Sequence, residues 1–369
     1  MEAVAQIDKF FQLTVTENAS DLHMPTGSPP CLRVNGDLKQ INHPPFTHEQ
    51  NKTLLTEIMN ERNLAEFKAK KQVDFVYALG TVARFRSNVF MERHGISGSF
   101  RLIPSKILSV EELALSEAIV NLCKLRKGLV VVTGPTGSGK STTLAAMIDF
   151  CNRNRKEHII TVEDPIEFVH QNKSCLVSQR QVGENVDSFA DALRAALRED
   201  PDIILVGEMR DLETIALAIT AAETGHLVFG TLHTTSAAKT VDRIIDAFPT
   251  AQQEQIRTIL SESLRGIISQ NLLKRADGKG RVAAMEILLG VPALANLIRD
   301  NKCYQIPSLM QTQRAIGMQL MDQSLMDLVK QKKVTPQLAS EYAVDRSLFR
   351  APAAPTEKPA QPAATRVEG

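Results

Sequence analysis

From Gly128 onward the chain alternates short continuous apolar runs with stretches of helical period. The runs are Leu129 to Thr133, Ile159 to Val162, Ile203 to Val206 and Leu227 to Thr231. Apolar runs without alternation are how strands of a parallel sheet read when helices cover both its faces. The earlier part is patterned differently. About Val34 to Ile103 reads as β-rich, with an Asn35-Gly36 hairpin signal, alternating runs at Val73 to Tyr77 and Val82 to Phe90, and a helical stretch, Glu49 to Lys70, between them. Ala5 to Leu13 and Glu111 to Leu125 carry apolar residues at helical spacing, the second leading into a new domain, so a boundary is expected near Pro104 to Ser109. Gln252 to about Tyr342 reads as mostly helical. Residues 351–369 are Ala/Pro-rich with nothing to bury, which predicts a disordered tail.

A length of 369 residues fits two domains at roughly 150 residues each. Lys and Arg total 43 against 42 Asp and Glu, a net charge of +1, so no global field draws the chain to nucleic acid or anionic lipid. Stable nucleic-acid binding is therefore not expected. The five cysteines, Cys31, Cys123, Cys151, Cys175 and Cys303, form no C-x-x-C pair and read as reduced thiols. No basic segment followed by an apolar run opens the chain, and no stretch reaches the ~18 apolar residues of a membrane helix. The expectation is a soluble cytoplasmic protein that meets a membrane only through partners.

The strongest chemical signal is Gly134-Pro135-Thr136-Gly137-Ser138-Gly139-Lys140-Ser141, followed by Thr142. It fits G-x-x-x-x-G-K-[ST] and lies between an apolar strand and a helix starting near Ser141 to Ala146, the context the motif requires. Its glycines turn backbone N–H groups toward phosphate oxygens, the helix N-terminus adds partial positive charge, Lys140 reaches the β/γ-phosphates, and the Ser141 hydroxyl suits Mg2+. Glu163 and Asp164, Glu208, and His233 each follow a predicted parallel strand, as the loop does, and ligands of open α/β sheets bind along that edge. In P-loop enzymes one such carboxylate holds Mg2+ and another group positions the attacking water. Glu208 with Ser141 is the candidate metal pair and Glu163 the candidate base.

Four ordered motifs resemble the type II secretion and type IV pilus motor ATPases. Leu197 to Asp211 looks like the family's second Walker segment, ending in Glu208 rather than Asp; Thr161 to Phe168 resembles its Asp box and Thr224 to Thr234 its His box. Within the family the retraction branch is the nearest, through Ser20 to His23, Arg84-Phe85-Arg86, Gly280 to Ala283 and Gly317 to Gln319. The resemblance implies an N-terminal PAS-like α/β domain over residues 1–105, and a RecA-like P-loop ATPase domain with a helical C-terminal part over 106–350. It also implies ATP and Mg2+ as cofactors, a homohexamer, and work at the cytoplasmic face of the inner membrane with a pilus platform protein and other pilus motor ATPases. In the family, His226 and His233 sense nucleotide, and arginines such as Arg84, Arg86 and Arg101 reach it from a neighbouring subunit or domain. One departure stands out: where the retraction branch has A-I-R-N-L-I-R, this chain has Ala293 to Arg299 with Leu294 and Ala295. Loss of that arginine keeps an accessory paralogue open beside the retraction motor. A nucleotide-gated scaffold and a nucleic-acid translocase remain the readings from other classes.

Overall fold

The computed structural model describes residues 5–34, 36–103 and 106–349. It is a mixed α/β chain with two sheets. The strands are β1 (Asp21–Met24), β2 (Cys31–Val34), β3 (Asp37–Gln40), β4 (Gln72–Leu79), β5 (Ala83–Glu92), β6 (Gly95–Ile103), β7 (Gly128–Thr133), β8 (His158–Glu163), β9 (Leu176–Gln181), β10 (Ile203–Val206), β11 (Leu227–Leu232), β12 (Leu264–Lys274) and β13 (Arg281–Leu289). The first six form one sheet in the order β3-β2-β1-β6-β5-β4, and the other seven a second in the order β13-β12-β7-β11-β10-β8-β9. The described residues fall into two compact units, those within 5–130 and 141–231, and those within 131–140 and 232–349.

In the first unit, the six-stranded antiparallel sheet follows its period-2 pattern. On β5, Ala83, Phe85, Ser87 and Val89 point inward while Arg84, Arg86 and Asn88 take the other face. Phe11 of the Asp8–Thr16 helix seats its ring 4.4 Å from Phe85 and 5.0 Å from Phe100, making the centre of that core. The polar face is laid out by register: Arg33 stands opposite Asp21, Asp21 opposite Arg101, and Arg101 opposite Arg86.

The same unit holds β8, β10 and β11 in parallel register, Ile159 beside Ile203 and Ile203 beside Leu227, with β9 parallel to β8. All of β10 and β11 is buried, which explains their lack of alternation. Parallel register puts the carboxyl ends of β8 and β10 on one edge. There the Gly207 N–H donates to the Val162 carbonyl at 2.8 Å and the Met209 N–H to the Thr231 carbonyl at 3.0 Å.

The second unit departs from the sequence reading. Within the stretch Gln252 to Tyr342, expected to be mostly helical, residues 264–289 form instead a long antiparallel hairpin, β12–β13, paired from Gly266 with Leu289 to Lys274 with Arg281. Helices follow over Pro292–Arg299, Ile306–Thr312, Met321–Lys330 and Pro336–Tyr342. Two other expectations change in detail. Glu49 to Lys70 is two helices, His48–Thr56 and Glu61–Lys70, because Asn60 caps the second by accepting from the Asn63 N–H. In Glu111 to Leu125 only Glu117–Leu122 is helical, since Ala114 adopts a φ of 50° before the Ser116 N-cap. Asn35 of the hairpin signal, Pro104 and Ser105 of the boundary, and the tail 351–369 lie outside the described residues.

Candidate nucleotide site

The phosphate-loop motif is a tight turn in which Gly134, Gly137 and Gly139 have φ values of 139°, 80° and 89°. L side chains rarely adopt those angles. A Cβ on Gly134 would strike the Gln270 carbonyl oxygen, and one on Gly139 would come within 2.8 Å of Gln270 Nε2. The same Gln270 side chain donates to the Ser138 carbonyl at 2.6 Å. Thr133 Oγ1 lies 2.8 Å from Ser269 Oγ just before the loop, so β12 braces it from one side. Gln270 escaped the sequence reading because nothing local marks a glutamine inside an apolar strand. Gly134→Ala should therefore lose nucleotide binding, with about 1–3 kcal/mol of lost stability from backbone strain. Titration with a fluorescent ATP analogue and thermal melts check this; wild-type affinity would contradict it.

Lys140 opens the Lys140–Asn154 helix, and its Nζ donates to the carbonyls of Gly134 at 2.8 Å and Pro135 at 3.2 Å. Ser141 and Thr142 are part-buried on the first turn. Ser138 is buried, its Oγ without a hydrogen-bond partner among the described residues.

On the carboxyl edge of the parallel strands, Glu163 ends β8. Thr161 Oγ1 donates to Glu163 Oε1 at 2.7 Å and Gln179 Nε2 donates to the same oxygen at 3.1 Å. The residue is part-buried. That burial pushes its pKa above the ordinary carboxylate value, and the Thr161 and Gln179 donors oppose the push. Glu208 pairs with Arg210, Nε to Oε1 at 2.6 Å, and the Arg210 side chain is 74% exposed. Ser141 and Glu208 offer hard oxygen donors of the kind Mg2+ takes when waters and phosphates complete its shell.

The three arginines part ways. Arg84 is half-buried, and the burial that disfavours its charge is opposed by the carboxylates of Glu163 and Glu184 in its own chain. Its Nη1 is buried without a hydrogen-bond partner among the described residues. Arg101 donates through Nε to Asp21 at 2.9 Å, and Arg86 is exposed beside it. Thus one of the three lies within the electrostatic reach of Glu163 in the same chain, while Arg101 has a partner inside its own sheet. The histidines also separate. His233 follows β11 and is exposed, whereas His226 precedes β11, its Nδ1 2.9 Å from the Ala221 carbonyl. About 20 Å of strand separates His226 from the edge that carries Glu163. The structure does not bring it there.

The helix Pro292–Arg299 buries Leu294 and Ile298, with Ala295 part-buried. Those three residues, with Glu262, Arg265 and Gly290, line a cavity of about 320 Å3. No helix among the described residues is long and apolar enough to cross a membrane.

Residues 2–357 match the family described as type II/IV secretion system protein. The type IV pilus retraction ATPase PilT of Pseudomonas aeruginosa is 52% identical over 337 residues, covering 91% of this chain and 98% of that protein. The type IV pilus ATPase PilU of the same organism is 39% identical, covering 92% of this chain and 88% of its own. A crystal structure of the pilus retraction motor PilT with bound ADP superposes with a TM-score of 0.87 at 48% identity, covering 93% of this chain and 98% of that one. That likeness bears out the expected fold class, an N-terminal α/β domain with a RecA-like ATPase domain. On a match spanning nearly the whole of both sequences, the chain belongs to the type II/IV secretion system protein family.

Proposed function

We propose that this chain is an ATP-hydrolysing motor that powers type IV pilus retraction. The observation that carries the reading is 52% identity across 98% of a retraction ATPase, together with a complete phosphate loop and a part-buried carboxylate at Glu163. The weaker match to the accessory-type relative, 39%, favours a retraction motor over that paralogue even with Ala295 in place of the family's arginine. The reaction is ATP and water to ADP and phosphate. Lys140 and the loop amides from Gly134 to Gly139 hold the phosphates, with Ser141 and Thr142 at the start of the helix. Mg2+ would be held by Ser141 and Glu208, where it supplies charge neutralisation at the phosphates. Glu163 orients the attacking water and takes its proton, and Arg84 adds positive charge beside it. His233 reports nucleotide state. Arg86 and Arg101 receive no step within their own chain and are assigned, as the family resemblance implies, to the nucleotide of a neighbouring subunit in a homohexamer, and His226 receives no step. The ring would work in the cytoplasm at the inner membrane, against a pilus platform protein and alongside other pilus motor ATPases.

The decisive experiment is deletion of the gene from a piliated host. Surface pili should accumulate and retraction, followed in single labelled pili, should cease; the wild-type chain should restore it and Lys140→Ala should not. Normal retraction in the deletion strain would defeat the reading. In the purified protein, Glu208→Gln should raise the Mg2+ concentration needed for half-maximal hydrolysis, whereas Glu163→Gln should not. Equal Mg2+ requirements in the two variants would remove Glu208 from the metal site.

A further inference from the structure

Glu286 in β13 is a carboxylate sunk into the second unit, with only 6% of its surface exposed. Both of its oxygens accept main-chain N–H groups. Oε1 accepts from Ala237, the first residue of the helix Ala237–Asp246, at 2.6 Å, and Oε2 from Met321, the first residue of Met321–Lys330, at 3.4 Å. Two helix N-termini thus share one carboxylate, and their partial positive charges favour its ionised form. Burial pushes the Glu286 pKa up and the two N–H groups pull it back.

What each helix carries gives the arrangement its meaning. Ala237 begins the turn just after His233. There the Ser236 side chain accepts from the Lys239 N–H, and Thr234 Oγ1 lies 2.7 Å from Thr240 Oγ1, so the backbone bearing His233 is tied to the first turn of that helix. On the other side, the chain before Met321 is stitched to the edge of β13. Ile287 and Gln319 exchange main-chain hydrogen bonds of 2.8 and 3.0 Å, the Met285 N–H donates to Ser324 Oγ at 3.0 Å, and Gly317, at a φ of 99°, turns the chain into place. The Gly317 to Gln319 motif and the strand that follows Gly280, which no chemical step uses, therefore converge on the same carboxylate.

We propose that Glu286 is a positioning residue that ties the His233 segment to the C-terminal helical module, so that displacement of the Met321–Lys330 helix reaches the imidazole through one carboxylate. The inference rests on the ATPase reading and deepens it. Apolar contacts under each helix hold that helix to the hairpin, but Glu286 contacts both backbones at their first residues, where a shift of one is felt by the other.

The test uses the full-length chain. Glu286→Gln keeps the side chain's size and one acceptor oxygen, but sets an amide NH2 against the second helix N–H. Hydrogen exchange should rise together at residues 234–240 and 321–325, and kcat should fall about tenfold, the size of a coupling of one to two kcal/mol, with the KM for ATP within about twofold. Because Glu286 acts through His233, adding Glu286→Gln to His233→Ala should cost less than about twofold more. Val334→Ala, in the same core but outside the Met321–Lys330 helix, should lower Tm comparably and leave kcat unchanged. Exchange rising in one segment only, multiplicative losses in the double variant, or a Val334→Ala enzyme with the same kcat defect would each overturn the proposal. If Glu286→Gln does not fold, Glu286→Asp keeps the charge but is one methylene short of spanning both helices, and the same readouts apply. A wild-type chain that does not hydrolyse ATP would defeat the ATPase reading, and the paired exchange response would still decide this one.

Discussion

Lys140→Ala is expected to stop ATP hydrolysis in a chain that still melts cooperatively near the wild-type temperature. The side chain donates to the carbonyls of Gly134 and Pro135 in its own loop and is no part of the apolar core, so its removal costs the fold little. It is the one cation of the loop motif Gly134 to Ser141, and phosphoryl transfer depends on positive charge placed where negative charge grows. Loss of one such preorganised donor costs on the order of 10²–10³-fold in kcat, and loss of a full charge should exceed that. Steady-state phosphate release, read beside a binding titration with a fluorescent ATP analogue, separates lost chemistry from lost affinity. Turnover within about tenfold of wild type would take Lys140 out of the phosphate site.

Glu163→Gln should separate binding from chemistry more cleanly. The amide fills the same space and can still accept from Thr161 and Gln179, so ATP·Mg2+ affinity should hold while kcat falls about 10²- to 10⁴-fold, the usual worth of a positioned base. The pH profile carries a second signature. Burial raises the pKa of Glu163, and a base must be ionised to work, so the acid limb of kcat should lie above the ordinary carboxylate range. Thr161→Val removes a donor that favours the ionised form, and the limb should then move to higher pH. The sign for stability is opposite to that of a salt-bridged carboxylate. Because the folded state holds this proton more tightly than the unfolded chain does, stability falls as pH rises from the ordinary carboxylate value through the raised one. At neutral pH, therefore, Glu163→Gln should melt no lower than wild type. A pH-independent kcat, or a marked loss of Tm in Glu163→Gln, would show that the residue is structural.

The candidate site's edge was legible from sequence because each of its parts announces itself locally. β7, β8, β10 and β11 are apolar runs followed by candidate site residues, and the loop motif fixes the first of them. The bracing partners were not legible. Gln270 and Glu286 lie in β12 and β13, where Leu264 to Ser269 is buried on nearly every residue, which erases the alternation that marks a strand and leaves apolar doublets that mimic helical spacing. The pairing that makes these segments strands is non-local, and no pattern within either run records it. Arg84, Arg86 and Arg101 were rightly placed on polar strand faces, but which of them would lie near Glu163 depends on packing that period-2 patterning does not encode. Asn60 is the opposite case: an N-cap signal stood in the sequence, inside a stretch whose periodicity suggested one continuous helix.

The row Arg33, Asp21, Arg101, Arg86 across the N-terminal sheet has a consequence in ionic strength. Arg101 takes the carboxylate of Asp21, Arg33 donates instead to the Gly36 carbonyl, and Arg86 stands directly opposite Arg101, an arrangement of like charges that works against strand pairing. A net charge of +1 for the whole chain conceals this local excess. Between 0.01 M and 0.15 M salt the screening length shortens from about 30 Å to about 8 Å, so mobile anions relieve the repulsion and the sheet is held more firmly in saline than in dilute buffer.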